Sequence, residues 1–383
     1  MKSSLRLIVA LSLATLAGQN AMAADYTAAG RLFYYDARSL STRPLNQNNG
    51  AANITVEVRE KTDGQAATKL ATGLVGWDGR FSVPFSWASA ADPRPDIYLS
   101  FQFKNSKWRV VNANGAIYTI SSPVRWNNAA GPIGFGDMFV PRNTDYEKAM
   151  WVFQSMNEGW MYVESESGVD AGDQIRVQWP GKDDCPTSCA STSGIHITRA
   201  RAGNTKNVIH EYGHMVNFHA WEILSFDFTG LGNDYCRTEG DDAASCGHDW
   251  NSLEWPYPAF KEGWANFVAY AALDCIGNNN CADVEDRRFN RNGEGNEGNV
   301  TAVLGDILDQ HGDSHVNPDT GVQGRDNLDW NFRAMVGVLA HMSLIDILGE
   351  PDVTDYVDEI RDMYDGVNGP TWESMMNNSW IAY

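Results

Sequence analysis

Two histidines lie four residues apart in one short segment, residues 207–216, which reads NVIHEYGHMV. Residues four apart share one face of an α-helix, so His210 and His214 are predicted to point in the same direction, one turn apart. Two imidazoles placed in this way can bind one Zn²⁺ ion through nitrogen. If residues 207–216 form a helix, the four-residue spacing predicts a metal site on one face of it.

Glu211 follows His210 directly and, on a helix, is turned about 100° away from it. Its carboxylate is therefore predicted to lie beside the metal, at the position where hydrolysis requires a general base. The flanking residues Val208, Ile209 and Met215 are apolar, as a buried helix requires. An ordinary polar helix with two histidines stays open as the alternative, because the HExxH pattern alone is only suggestive.

A catalytic zinc ion takes three protein ligands and keeps a fourth position open. The longer pattern HExxHxxGxxH does not continue after His214, because Asn217 and Ala220 occupy the positions of its glycine and its third histidine. A second predicted helix at residues 259–272 reads AFKEGWANFVAYAA, and Glu262 shares a face with small residues that allow close helix packing. Glu262 is therefore the predicted third ligand.

The motif HEYGH, followed 48 positions after its second histidine by the glutamate of EGWANFVA, resembles the gluzincins, the thermolysin-like clan of zinc metallopeptidases. The resemblance implies that His210, His214 and Glu262 are the zinc ligands. It also implies that Glu211 is the base of a peptidase, and it favours an endopeptidase over an exopeptidase. The resemblance covers residues 190–275 well and the rest of the chain thinly.

Two details of this resemblance concern the surroundings of the metal. Thermolysin has an aspartate four residues after its glutamate ligand, where this chain has Asn266, and an uncharged amide implies weaker support for a ligand histidine. Gluzincins also stabilise the oxyanion with a tyrosine or histidine beyond the ligands. The first candidate is Tyr257, five residues before Glu262. The other candidates are Tyr270, His248, His311 and His315.

Short alternating apolar patterns in residues 24–126 predict an all-β sandwich, with hairpin turns at Asp78-Gly79 and Asn114-Gly115. This layout resembles the transthyretin-like and carboxypeptidase-regulatory-like accessory domains of secreted proteins. Residues 127–142 are rich in Gly, Pro and Asn and predict a linker. Residues 143–383 are then expected to form an α+β zincin-like metallopeptidase domain. The predicted fold class is therefore multidomain, with the all-β sandwich first.

Within the second part, periodicity predicts several elements. Helices are expected near residues 146–163, 205–220, 259–274, 299–310 and 327–348, and strands near residues 174–178 and 194–198. His196 is then either an exposed strand histidine or part of an edge strand that pairs with a substrate main chain, as in zincins. Residues 293–299, which read GEGNEGN, are predicted as a loop, and the helix after them has no assigned role.

The first 23 residues are typical of a secretory signal. Lys2 and Arg6 precede an apolar stretch at residues 7–16, and Ala21 and Ala23 form a small-residue cleavage site. We therefore expect cleavage after Ala23 and a secreted or periplasmic protein. No later apolar stretch approaches the length of about 18 residues that a transmembrane helix needs.

The formal net charge of −20 argues against nucleic acid as a partner, because such a surface repels phosphate backbones. It is compatible with bound Ca²⁺, although no EF-hand-like loop supports calcium binding. The six cysteines fall into three local pairs, and export favours disulfides over a cysteine metal site. The expected bridges join residues 185–189, 236–246 and 275–281.

These patterns together predict an exported zinc metallopeptidase whose partner is a protein or peptide substrate. The alternative is an exported binding or adhesion protein with a structural or inactive zincin domain, which the β-sandwich and the unassigned oxyanion donor favour. Glu211 disfavours that alternative, because a structural metal site does not need a base. Zinc-dependent hydrolysis of another amide or of an ester is the third reading.

Overall fold

The computed structural model describes residues 23–61, 66–89, 94–169, 174–181, 188–220, 255–276, 295–308, 330–342 and 351–363, with Met376 and Ile381. Within these residues the protein is mixed α/β, with three sheets and six helices. The strands are β1 (Ala24–Asp36), β2 (Gln47–Gly50), β3 (Thr55–Glu60), β4 (Thr68–Leu74), β5 (Arg80–Trp87), β6 (Ile97–Gln102), β7 (Trp108–Val111), β8 (Thr119–Ser121), β9 (Gly131–Phe139), β10 (Ile175–Gln178), β11 (Cys189–Ser191) and β12 (Gly194–His196). The helices are α1 (Asp145–Ser167), α2 (Thr205–Ala220), α3 (Pro256–Ala272), α4 (Glu297–Leu308), α5 (Phe332–His341) and α6 (Val353–Met363).

Two of the sheets pack against each other in the first part of the chain. In one sheet β1 pairs antiparallel with β2 and β5 and parallel with β9, and the other sheet has the order β4-β3-β6-β8. Every second residue of β1 is buried over much of its length, as the pleat of a half-buried strand requires. Phe81 of β5 and Phe101 of β6 meet edge to face between the sheets, with ring centroids 5.5 Å apart. The expectation of short, alternating strands is therefore confirmed here.

The two predicted turns have different outcomes. At Asn114-Gly115 the chain reverses between Val111 and Ile117, which form an antiparallel bridge, and Gly115 has a φ of +79°. At Asp78-Gly79 a turn is present, but the hairpin prediction is wrong, because β4 and β5 belong to different sheets.

The turn at Asp78-Gly79 does not form a hairpin because its residues bond to a different strand. The backbone N–H of Leu32 in β1 donates to the carbonyl of Gly79 at 2.8 Å. The residues after the turn therefore pair with β1 rather than with β4, and the turn connects the two sheets.

The prediction of a linker at residues 127–142 is wrong in its central part. This segment contains β9, which runs parallel to β1 from Gly131 to Phe139. A Cβ atom on Gly30 of β1 would lie 2.8 Å from the carbonyl oxygen of Gly136, so these strands need glycine to approach each other. The glycine content therefore reflects close strand packing, and the boundaries 24–126 and 143–383 stay predictions.

The third sheet contains strands from both halves of the chain, in the order β11-β12-β10-β7. Strand β7 pairs in parallel with β10, with Trp108 opposite Ile175. His196 lies on β12, which is flanked by β11 and β10, and its side chain is buried. Both the exposed-histidine and the edge-strand interpretations of His196 are therefore wrong, and among the described residues the outer strands of this sheet are β11 and β7.

Helix α1 is attached to the first sheet by a buried ion-pair cluster. The Arg38 guanidinium lies 2.8 Å from an oxygen of Asp36, the last residue of β1, and 2.6 Å from a Glu158 oxygen on α1. The three side chains are at most 1% exposed. Because both carboxylates depend on one cation, this cluster joins α1 firmly to the sheet.

Within the part of the chain described above, no helix combines the length and the apolarity needed to cross a membrane. Residues 1–22 lie outside that part, so the signal sequence stays a prediction. Neither Cys189 nor Cys275 is a free thiol. Their predicted partners, and the whole pair 236–246, also lie outside the described residues, so the proposed disulfide pairing stays a prediction.

Candidate metal centre

Helices α2 and α3 approach each other closely at Gly213, which lies between His210 and His214 on α2. A Cβ atom on Gly213 would lie 2.8 Å from the Ala265 Cα atom and 3.0 Å from the Ala265 carbonyl oxygen. Real Cβ atoms do not approach backbone atoms this closely, so only glycine permits the observed spacing. The glycine in HEYGH is therefore explained by helix contact, and the contact brings Glu262 of α3 toward α2.

The three predicted ligands converge. The Oε2 atom of Glu262 lies 3.1 Å from Nε2 of His210 and 3.2 Å from Nε2 of His214. The two Nε2 atoms lie 3.2 Å from each other. Zinc bonds of about 2.0–2.1 Å in tetrahedral geometry place neighbouring ligand atoms about 3.3 Å apart, which is close to this triangle. Two imidazoles and one carboxylate are also a ligand set that zinc prefers, so the residues fit the ion.

The electrostatic surroundings of the two histidines differ. Burial lowers the pKa of both imidazoles. At His210 the hydrogen bond and the negative charge of Glu262 outweigh burial, and the pKa is raised. At His214 burial dominates, and the pKa is lowered, which favours a neutral imidazole with a lone pair for a metal.

Glu211 is buried on α2, next to the first ligand. Its negative charge contributes to the raised pKa of His210, so the carboxylate acts electrostatically on the ligand triangle. This is consistent with a carboxylate beside the metal. Its role as the catalytic base stays a prediction.

A layer of polar residues behind His210 was only partly predicted from the sequence. Nδ1 of His210 lies 3.1 Å from Oδ1 of Asn266, and Nδ2 of Asn266 donates to Oε1 of Glu297 at 3.3 Å. Asn266 was identified as the residue in place of an aspartate, whereas Glu297 was not identified. The loop predicted at residues 293–299 is wrong from Glu297 onward, because α4 begins there.

The start of α4 has a local signal that the sequence contains. The Asn296 side chain accepts a hydrogen bond from the backbone N–H of Asn299 at 3.1 Å, as a helix N-cap does. An asparagine followed by an acidic residue and an apolar run is typical of a helix start. This signal predicts that Glu297 lies in the first turn of a helix, but it does not predict the contact with Asn266.

The candidates for the oxyanion donor are only partly described. Tyr257 is buried in the first turn of α3, and its ring lies 5.3 Å from the ammonium of Lys261. Five residues along a helix turn its side chain about 140° from that of Glu262. The hydroxyl of Tyr270 accepts a hydrogen bond from Lys206 at 3.1 Å. The three histidine candidates, His248, His311 and His315, lie outside the described residues.

Comparison with known proteins finds one family. The sequence profile of the Mycolysin middle domain matches residues 28–147, from β1 to the first turn of α1. The match supports a relationship to mycolysin-type zinc metallopeptidases and, coarsely, a peptidase with a metal that is typically zinc. The matched segment precedes α2 and α3, so it is independent of the His–His–Glu group.

No curated protein matches the chain. Among solved structures, a 9R-lipoxygenase from Cyanothece PCC8801 is 15% identical over 36% of this chain and 24% of that chain, with a TM-score of 0.20. The major plantain pollen allergen Pla l 1 is 14% identical over 32% of this chain and 100% of that chain, with a TM-score of 0.18. At such TM-scores neither structure carries an argument about fold or function.

Proposed function

We propose that the protein is an exported zinc metallopeptidase that hydrolyses peptide bonds within protein or peptide substrates. The observation that carries this proposal is the triangle of His210, His214 and Glu262, whose ligand atoms lie 3.1–3.2 Å apart. The match to the mycolysin middle domain supports the same class from a separate part of the chain.

The residues of the triangle have distinct tasks in this proposal. Nε2 of His210, Nε2 of His214 and Oε2 of Glu262 would hold the ion. When bound, zinc would supply Lewis acidity, which polarises a carbonyl group and lowers the pKa of water. Glu211 accepts a proton from the attacking water and donates it to the leaving amine. Glu211 and His214 are both buried, so solvent screens the Glu211 carboxylate little.

The finer domain arrangement is part of the same proposal. Residues 24–126 form the accessory β-sandwich together with β9, and residues 143–383 form a zincin-like catalytic domain. The ion pair between Arg38 and Glu158 and the pairing of β7 with β10 are the contacts that join the two parts in this proposal. Disulfides and cleavage after Ala23 fit an oxidising compartment outside the cytoplasm.

The test compares the chain from Ala24 with two glutamate variants. Glu211→Gln removes the proposed base and keeps the side-chain volume. Glu147→Gln is the matched control, because Glu147 is also a buried glutamate on a helix. It lies on α1 and is not part of the His–His–Glu group. Zinc content is measured by mass spectrometry, and hydrolysis is measured on casein and on a quenched peptide library with and without a chelator.

We expect one zinc per chain in all three proteins. Glu211→Gln should lose about 10²–10⁴-fold in hydrolysis, whereas Glu147→Gln should keep wild-type activity. Bound zinc without chelator-sensitive hydrolysis would refute the peptidase and favour the binding or adhesion protein. Hydrolysis of esters or other amides, but not of peptides, would change the substrate class.

A further inference from the structure

We propose that Glu297 is a positioning residue of the metal centre, which acts through Asn266 to fix the tautomer and the orientation of His210. The inference rests on the proposed function, because it assigns a task toward the zinc. It concerns a residue on a third helix, α4, whose negative charge also contributes to the raised pKa of His210. The observation that carries it is the chain of two hydrogen bonds from Glu297 to His210.

The chemistry of the three groups determines the direction of both hydrogen bonds. A carboxylate only accepts hydrogen bonds, so the Asn266 atom that faces Glu297 must be the NH₂ group. The amide oxygen of Asn266 then faces His210 and can only accept, so Nδ1 of His210 must carry the proton. The lone pair of His210 is consequently on Nε2, the atom that belongs to the ligand triangle.

Glu297 is held in place by the start of α4. The side chain of Asn296 caps the helix, and the Thr301 hydroxyl donates to the Glu297 carbonyl at 2.7 Å and to the Gly263 carbonyl at 3.1 Å. Helix α4 packs closely on α3 at Gly263, because a Cβ atom on Gly263 would lie 2.5 Å from Val300 Cγ1 of α4. A carboxylate in the first helical turn is favoured by the helix dipole.

This arrangement accounts for Asn266. An aspartate at this position would place a second carboxylate against that of Glu297, within about the distance of the present 3.3 Å hydrogen bond. Two buried like charges at that distance repel each other strongly. In this chain the negative charge behind His210 is therefore on Glu297, one hydrogen bond further away than an aspartate at position 266 would be. The Asn266 amide links the Glu297 carboxylate to His210 and so fixes the orientation of the imidazole.

The experiment measures the dissociation constant of zinc by competition with a chromophoric chelator. Glu297→Gln replaces the carboxylate by a group that can either donate or accept, so it no longer determines which way the Asn266 amide points. Outer hydrogen-bond partners of this kind change metal affinity about 10–100-fold, and we expect a loss in that range. Glu147→Gln is the matched control and should bind zinc as the wild type does.

A charge relocation distinguishes positioning from a loss of structure. Asn266→Asp alone should weaken zinc binding, because it places two carboxylates together. Asn266→Asp combined with Glu297→Gln moves the charge to the position next to His210 and should restore zinc affinity to within about threefold of the wild type. A merely structural Glu297 predicts that the double variant binds zinc no better than either single variant, and that result would overturn the proposal.

The second readout does not need zinc. In metal-free protein labelled with ¹⁵N-histidine, the wild type should show a protected Nδ1 proton on His210, and Glu297→Gln should lose that protection. An unchanged Nδ1 signal together with unchanged zinc affinity in Glu297→Gln would overturn the inference. Absence of zinc binding or hydrolysis in the wild type, with the Nδ1 result as expected, would instead refute the proposed function alone.

Discussion

Replacing Gly213 by alanine tests whether the contact between α2 and α3 sets the geometry of the ligand triangle. The added Cβ atom would lie 2.8 Å from the Ala265 Cα atom, whereas an ordinary carbon–carbon contact is about 3.5–4.0 Å. The helices must therefore separate locally by about 0.7 Å or more. His210 and His214 are on one helix and Glu262 is on the other, so the ligand distances of 3.1 and 3.2 Å increase by a similar amount.

The size of that displacement predicts the effect on zinc. Functional groups must be held within about 0.5 Å of their productive geometry, so the triangle in Gly213→Ala no longer fits the ion. We expect zinc affinity to fall about tenfold or more, which corresponds to about 1.4 kcal/mol. Stability of the metal-free protein should change less, because alanine favours the helix by about 1 kcal/mol while overpacking costs about 1–3 kcal/mol.

The assay combines a zinc titration against a competing chelator with urea unfolding of the zinc-stripped protein. Gly337→Ala on α5 is the matched control, because no atom of the described residues lies within 4 Å of a Cβ atom placed there. It should gain stability from helix propensity and leave zinc affinity unchanged. Wild-type zinc affinity in Gly213→Ala would refute the argument that helix spacing sets the triangle.

Other parts of the structure make further predictions. Arg38→Ala leaves the buried carboxylates of Asp36 and Glu158 without their cation and should lower the free energy of unfolding by about 3–5 kcal/mol, measured with urea. Burial raises the pKa of Asp36, but hydrogen bonds and charge from Arg38 outweigh it, and the pKa lies below its ordinary value of 3.8. Its stabilising contribution is therefore complete above pH 3.8 and is lost as the pH falls through the lower folded-state value, so Asp36→Asn should lessen the acid dependence of unfolding in that window. Gly263→Ala should weaken zinc binding, because its Cβ would displace Val300 and with it α4.

The convergence of His210, His214 and Glu262 was predictable because its signals are local. The four-residue spacing of His210 and His214 needs only a helix, and Glu262 lies in a helical segment with small residues on the same face. The boundaries of α1, α2 and α3 followed from the same periodicity to within a few residues, except for the last turn of α1. Periodicity within single helices was therefore enough to predict the helices that carry His210, His214 and Glu262.

The parts that were not predicted depend on contacts between distant segments. The composition around Gly131 and Gly136 is compatible with a linker or with a close strand, and only pairing with β1 decides between them. Glu297 lies 31 residues after Asn266, and its neighbourhood becomes visible only when α4 packs against α3. Burial of His196 likewise depends on β11, which pairs with the outer side of β12 and places Cys189 opposite His196.

The most direct test of the central claim is X-ray absorption of zinc in the purified protein, measured beside Glu262→Gln. We predict one zinc per chain, with two imidazole nitrogens and a carboxylate oxygen at about 2.0–2.2 Å, and loss of the ion or of that oxygen in the variant. A wild type without bound zinc, or a variant whose zinc content and spectrum equal those of the wild type, would contradict the account.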